Sequence, residues 1–171
     1  MFIYNKKLQY PVRIARCNPR LASVIISQYG GPDGELGASL RYLSQRYSMP
    51  FDEQKALLTD IGTEELGHLE MIGAIIHQLT RNLKEKDIEG TPLEQYFVDH
   101  TTGVFPTAAS GFPYTAAAMQ VKGDPMADLV EDLAAEAAPH HTAIGFCHFL
   151  ASRKVVAAQG FFGLLKGEPF C

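Results

Sequence analysis

The longest periodic stretch of the chain runs from Asp52 to about Arg81, and its apolar positions Leu57, Ile61, Ile72, Ile76 and Leu79 recur at helical spacing. Arg81 closes it at the end that the helix dipole makes favourable for a cation. The stripe passes through Ile61, Glu65, His68 and Ile72 at steps of four, three and four. A carboxylate and an imidazole therefore sit where isoleucine is expected. A buried carboxylate with no partner costs several kcal/mol or takes up a proton. A bound cation relieves both groups at once, and Glu-x-x-His on a helix puts two ligands one turn apart. By itself a Glu-x-x-His is common by chance, and most such tetrads are solvated pairs. Its place within the stripe is what points to metal.

The rest of the chain also reads as helical. Asn18 can cap a short helix from Pro19 to Tyr29, with Leu21, Val24 and Ile25 on one face. Gly30-Gly31-Pro32-Asp33-Gly34 breaks it. A second helix follows from about Glu35 to Tyr47 with the stripe Leu36, Leu40, Leu43, Tyr47, and Ser48-Met49-Pro50 ends it. From Asn82 to Gly123 the helical period is lost in a long connection punctuated by Pro92, Pro106 and Pro113. Asp124-Pro125 then starts another helix whose expected inner face is Met126, Leu129, Val130 and Leu133. Strand-like alternation never persists, so the fold class expected is all-α.

Two further acids fall on these helices. Glu136 continues the spacing of Met126, Leu129 and Leu133, whereas Asp128, Glu131 and Asp132 read as a solvated face. Glu35 opens the second helix, with Tyr42 on the same side seven residues later. As a first-turn acid Glu35 also suits the helix dipole. Three helices each directing a carboxylate inward match the ligand scheme of a dimetal carboxylate site in a four-helix bundle.

At these residues the chain resembles the manganese catalases. Tyr29-Gly30-Gly31, Gly34-Glu35-Leu36 and Tyr42-Leu43-Ser44-Gln45 are similar to the first ligand helix of that family. Leu58 through Ile72 is similar to the second, Gly123-Asp124-Pro125 with Glu131 through Glu136 to the third, and Lys7 through Pro11 to the family's opening. The likeness is greatest to the small spore-coat branch, the coat protein JC type. It implies a ferritin-like four-helix bundle with a long crossover connection and a fourth helix shortened or irregular. It also implies one domain over 1–171, family-like to residue 136 and divergent over 137–171. By this resemblance Glu35 is a terminal or chelating ligand of one metal, Glu65 bridges the two, His68 binds one of them and Glu136 the other. Tyr42 is the implied outer partner of a ligand carboxylate. The implied cofactor is two manganese ions per subunit, with iron sharing the same ligand chemistry. The implied reaction is disproportionation of hydrogen peroxide to oxygen and water.

The likeness fades after Glu136. Pro139 interrupts the third helix, and Phe149 through Ala157 resembles the family's fourth helix with Lys154 in place of its acid and Ala157 in place of its histidine. His140, His141 and His148 are the available substitutes for a fifth ligand; His77 and His100 read as surface or structural. Scattered substitution and a local change of reading frame both account for the joint loss, and the coding DNA distinguishes them. A structural coat-type protein with a degenerate or partial metal site is therefore the alternative to an active catalase.

Composition narrows the partners. Fifteen Lys and Arg against nineteen Asp and Glu give a net charge of −4, which argues against nucleic acid. No apolar run is long enough for a membrane span, and Met1 to Arg13 has no secretory core. Cys17, Cys147 and Cys171 are odd in number and widely spaced, which suits reduced thiols. The expected location is the cytoplasm or the spore coat, not the exterior. The expected partners are hydrogen peroxide as substrate, further copies of the chain in a homo-oligomer, and other coat proteins.

Overall fold

Asn18 and Pro19 begin the first helix as their chemistry dictates. The Asn18 side-chain oxygen accepts from the Leu21 amide at 3.0 Å, and Pro19 fills the first helical position of α1 (Pro19–Ile25). The computed structural model describes residues 5, 7–31, 34–97 and 115–137. A 3-10 turn over Ile26–Gln28 follows α1, then α2 (Glu35–Gln45), α3 (Asp52–Thr80) and α4 (Pro125–Ala137). No strand occurs among the described residues, so the all-α expectation holds. The described parts of the long connection contain only 3-10 turns, at Glu85–Asp87, Glu94–Tyr96 and Ala116–Met119.

α3 is about 43 Å long at 1.5 Å per residue, and the other elements pack on it. Residues before α1 run extended along it. Gln78 accepts from the Ile14 amide at 2.7 Å and donates to the Val12 carbonyl at 3.0 Å, while Arg81 donates to the Ala15 carbonyl. The larger apolar cluster joins Ile14, Ile25 and Ile26 to Ile72, Ile75, Ile76 and Leu79 of α3 and to Ile88, Leu93, Tyr96 and Phe97 beyond it. A smaller cluster at the other end of α3 joins Leu58 and Ile61 to Tyr42, Met49 and Leu129. Glu65 and His68 lie on α3 between the residues that feed the two clusters.

α2 crosses α3 closely because position 62 is glycine. A β-carbon there would stand 2.9 Å from Leu43 Cγ and 3.2 Å from Tyr42 Cβ. The approach lets Ser39 Oγ donate to the Gly62 carbonyl at 2.6 Å.

Several expected faces differ from the observed ones. In α2 the buried positions are Glu35, Gly37, Ser39, Arg41, Tyr42 and Gln45, while Leu36, Leu40 and Leu43 are half-buried and Tyr47 is exposed. In α4 Leu129 packs inward as expected, but the other three apolar positions do not. Met126 and Leu133 are 72% and 71% exposed and Val130 is exposed too, whereas Asp128 and Asp132 are buried. The acids are held by partners the helical pattern does not reveal. Asp128 accepts from the backbone amides of Lys122 and Gly123 at 2.8 and 3.1 Å, and Asp132 accepts from Gln45 Nε2 at 3.0 Å. Satisfied polar groups can take inner positions that binary patterning assigns to apolar residues. Val24 and Leu57 are likewise exposed, with Ala22 and Leu58 buried in their stead.

Candidate metal centre

Glu35 occupies the first position of α2, immediately after the glycine-rich turn, and is 1% exposed. Glu65 and His68 occupy successive turns of α3 and are 3% and 5% exposed. The three meet. One ligand atom from each lies within 4.8 Å of those of the others. His68 Nδ1 stands 2.7 Å from Glu65 Oε2 and 3.9 Å from Glu35 Oε2. The Nδ1 edge of the ring therefore faces the two carboxylates, and Nε2 faces the opposite way, toward Glu64 Oε1 at 3.8 Å.

Two carboxylates sequestered from water within reach of each other repel in their charged forms, and a cation between them offsets that repulsion. The donor set of two carboxylates and a ring nitrogen suits manganese, iron or zinc. The chemistry of the group therefore fits a metal, which is how the spacing of Glu65 and His68 was read in the sequence.

The fourth expected residue, Glu136, belongs to α4, one turn after Asp132, but its side chain lies outside the described residues. His100, His140, His141, His148, Lys154 and Ala157 lie outside them altogether. His77 is exposed at the end of α3, in keeping with a surface role. Tyr42 is buried against Leu58 and Met49, seven residues after Glu35. Two features escaped the sequence reading. One is the approach of Glu64 to His68 Nε2, for which the i, i+4 relation is the available signal. The buried Gln45–Asp132 pair joins residues 87 apart, and no local pattern announces it.

The family pattern described as manganese containing catalase matches residues 1–146. The chain belongs to the manganese-containing catalase family. Protein CotJC of Bacillus subtilis (strain 168) is 52% identical over 136 residues, which covers 80% of this chain and 71% of that protein. A manganese catalase of Bacillus subtilis is 31% identical over 149 residues, covering 80% of this chain and 55% of its own length. The chain thus spans little more than half of that longer relative. The crystal structure of KatB, a manganese catalase from Anabaena, superposes with a TM-score of 0.67 at 30% identity, covering 97% of this chain and 74% of KatB. The fold is accordingly that of the manganese-containing catalases, a ferritin-like helical bundle. Within this family fold, Glu35, Glu65 and His68 form a buried group able to hold metal.

Proposed function

We propose that the chain is a dimanganese protein, one ferritin-like domain over 1–171, that disproportionates hydrogen peroxide to oxygen and water. The observation that carries this reading is the convergence of Glu35, Glu65 and His68 in a buried group. In it Glu35, Glu65 and His68 would hold the metal, His68 through the Nδ1 edge that faces the two carboxylates, with Glu136 of α4 completing the set. Bound manganese supplies the redox exchange in which one peroxide loses two electrons to become dioxygen and a second gains them to become water. The chain's own contribution is structural and electrostatic. The two carboxylates offset the cationic charge, the close α2–α3 crossing at Gly62 holds Glu35 against the Glu65 turn, and Tyr42 constrains a ligand carboxylate.

A second reading rests on Lys154 and Ala157, which stand where the resemblance expects an acid and the ligand histidine, and on the 52% identity to CotJC. It is a spore-coat protein that retains the fold and part of the metal site. Self-assembly belongs to both readings and is supported by the apolar face formed by Met126, Val130 and Leu133. Location in the cytoplasm or the coat follows from the same resemblance. No helix among the described residues is long and apolar enough to cross a membrane.

The deciding experiment compares oxygen evolution from peroxide by protein reconstituted with manganese or with iron, alongside metal content by mass spectrometry. Two manganese ions per chain with manganese-dependent oxygen release support the catalase. Metal bound without oxygen release supports the coat reading, and iron-selective loading argues for iron chemistry. Light scattering tests assembly, and a monodisperse monomer contradicts it.

A further inference from the structure

We propose that Glu64, steered by Gln9, is the outer carboxylate that orients His68 as a metal ligand; this rests on the metal-site reading above. The two nitrogens of His68 face different surroundings. Nδ1 is turned to Glu65 and Glu35, and Nε2 to Glu64 Oε1 at 3.8 Å. A neutral imidazole that gives its Nδ1 lone pair to a cation carries its proton on Nε2, and that N–H needs an acceptor. Glu64 supplies one. It sits one turn before His68 on the same helix, half-exposed, with Oε1 as the carboxylate oxygen turned toward Nε2.

Glu64 is itself restrained from a distant part of the chain. Gln9 Nε2 donates to the same oxygen, Glu64 Oε1, at 3.0 Å. The Gln9 carboxamide lies close against α3 at Gly67, where a β-carbon would stand 3.0 Å from Gln9 Oε1. The extended segment before α1 therefore places an amide donor beside the carboxylate that faces the ligand's outer nitrogen. Metal-bound histidines are commonly fixed by such a carboxylate, and losing it typically lowers metal affinity about 10–100-fold. Glu64 is a positioning residue in this scheme and touches neither substrate nor metal.

The test measures binding of Mn²⁺ and Co²⁺ to the full 171-residue chain, with the visible Co²⁺ bands as the signature of imidazole ligation. Glu64→Ala should weaken both metals by about 10–100-fold and alter the Co²⁺ bands. Glu64→Gln keeps an acceptor oxygen and should recover most of the affinity. Asp60→Asn removes an exposed charge one turn earlier on α3 and should change nothing. Gln9→Ala should give a smaller loss that vanishes in the Glu64→Ala background, because it acts through Glu64. Equal losses from Asp60→Asn and Glu64→Gln would reduce the effect to general charge and overturn the proposal. Unchanged affinity and unchanged Co²⁺ bands in Glu64→Ala would overturn it while leaving the metal site intact. Failure of the unsubstituted chain to bind either metal would overturn the site reading together with the proposal built on it.

Discussion

Gly62→Ala tests how the two ligand-bearing helices are held together. The new methyl would stand 2.9 Å from Leu43 Cγ, 3.0 Å from Leu43 Cδ2 and 3.2 Å from Tyr42 Cβ. Carbon atoms in good contact are separated by about 3.5–4.0 Å, so each approach is too short by several tenths of an ångström. Leu43 can rotate, but Tyr42 Cβ is fixed to the α2 backbone, and relief there requires α2 to retreat. Overpacking of this kind costs about 1–3 kcal/mol, and the gain in helix propensity from Gly to Ala offsets about 0.5–1 kcal/mol of it. The expected net loss is about 0–2.5 kcal/mol, or a few degrees in Tm at about 2–4 °C per kcal/mol for a chain of this size. Retreat of α2 also carries Glu35 away from Glu65 and His68, so Mn²⁺ affinity should fall even where the loss of stability is small. Thermal unfolding of the metal-free protein, paired with Mn²⁺ titration, separates the two effects. The double variant Gly62→Ala with Leu43→Ala removes the two shortest contacts and should regain part of the affinity. A more stable Gly62→Ala protein with unaltered Mn²⁺ affinity would refute the reasoning.

Further outcomes follow from the buried polar groups. Gln45→Ala withdraws the donor at 3.0 Å from buried Asp132 and should destabilise the fold by about 1–3 kcal/mol in urea titration; a change near zero would show that the pair does not anchor α4. His68→Ala should lower the manganese bound per chain, measured by mass spectrometry, while Asp60→Asn leaves it unchanged; equal losses would contradict the site. Tyr96 holds its phenol proton above the ordinary 10.0 because burial disfavours the phenolate, a hydrogen bond with Gln95 acting in the opposite sense. The unfolded chain releases that proton first, so stability should decline as pH rises from about 10 through the folded value. Tyr96→Phe should flatten the decline, and an identical alkaline profile in the two proteins would contradict it.

The parts of the fold that were legible in the sequence share a local cause. Asn18 and Pro19 announce α1 because capping involves only neighbouring backbone groups. α3 ends within one residue of its expected limit at Arg81 because its period is sustained throughout. Glu65 and His68 stood out because they interrupt an isoleucine stripe on a single helix. The faces of α2 and α4 were not legible in the same way. Asp128 is buried because the Lys122 and Gly123 amides donate to both of its oxygens, and Asp132 Oδ1 accepts from Gln45, which lies on a helix far away in sequence. Hydropathy spacing records the cost of burying an acid but not the donor that offsets it. The approach of Glu64 to His68 is not legible for the same reason: neither Gln9 nor the direction of the His68 ring can be read from α3 alone.

The central claim is that Glu35, Glu65 and His68, with Glu136, hold two manganese ions between α2, α3 and α4. Anomalous diffraction at the manganese edge from crystals of the manganese-loaded protein tests it most directly. The account requires two peaks roughly 3.5–4 Å apart, with Glu65 touching both, His68 Nδ1 on one of them, and Glu35 and Glu136 among the ligands. A single peak elsewhere on the chain, or loaded crystals with no manganese beside His68, would contradict it.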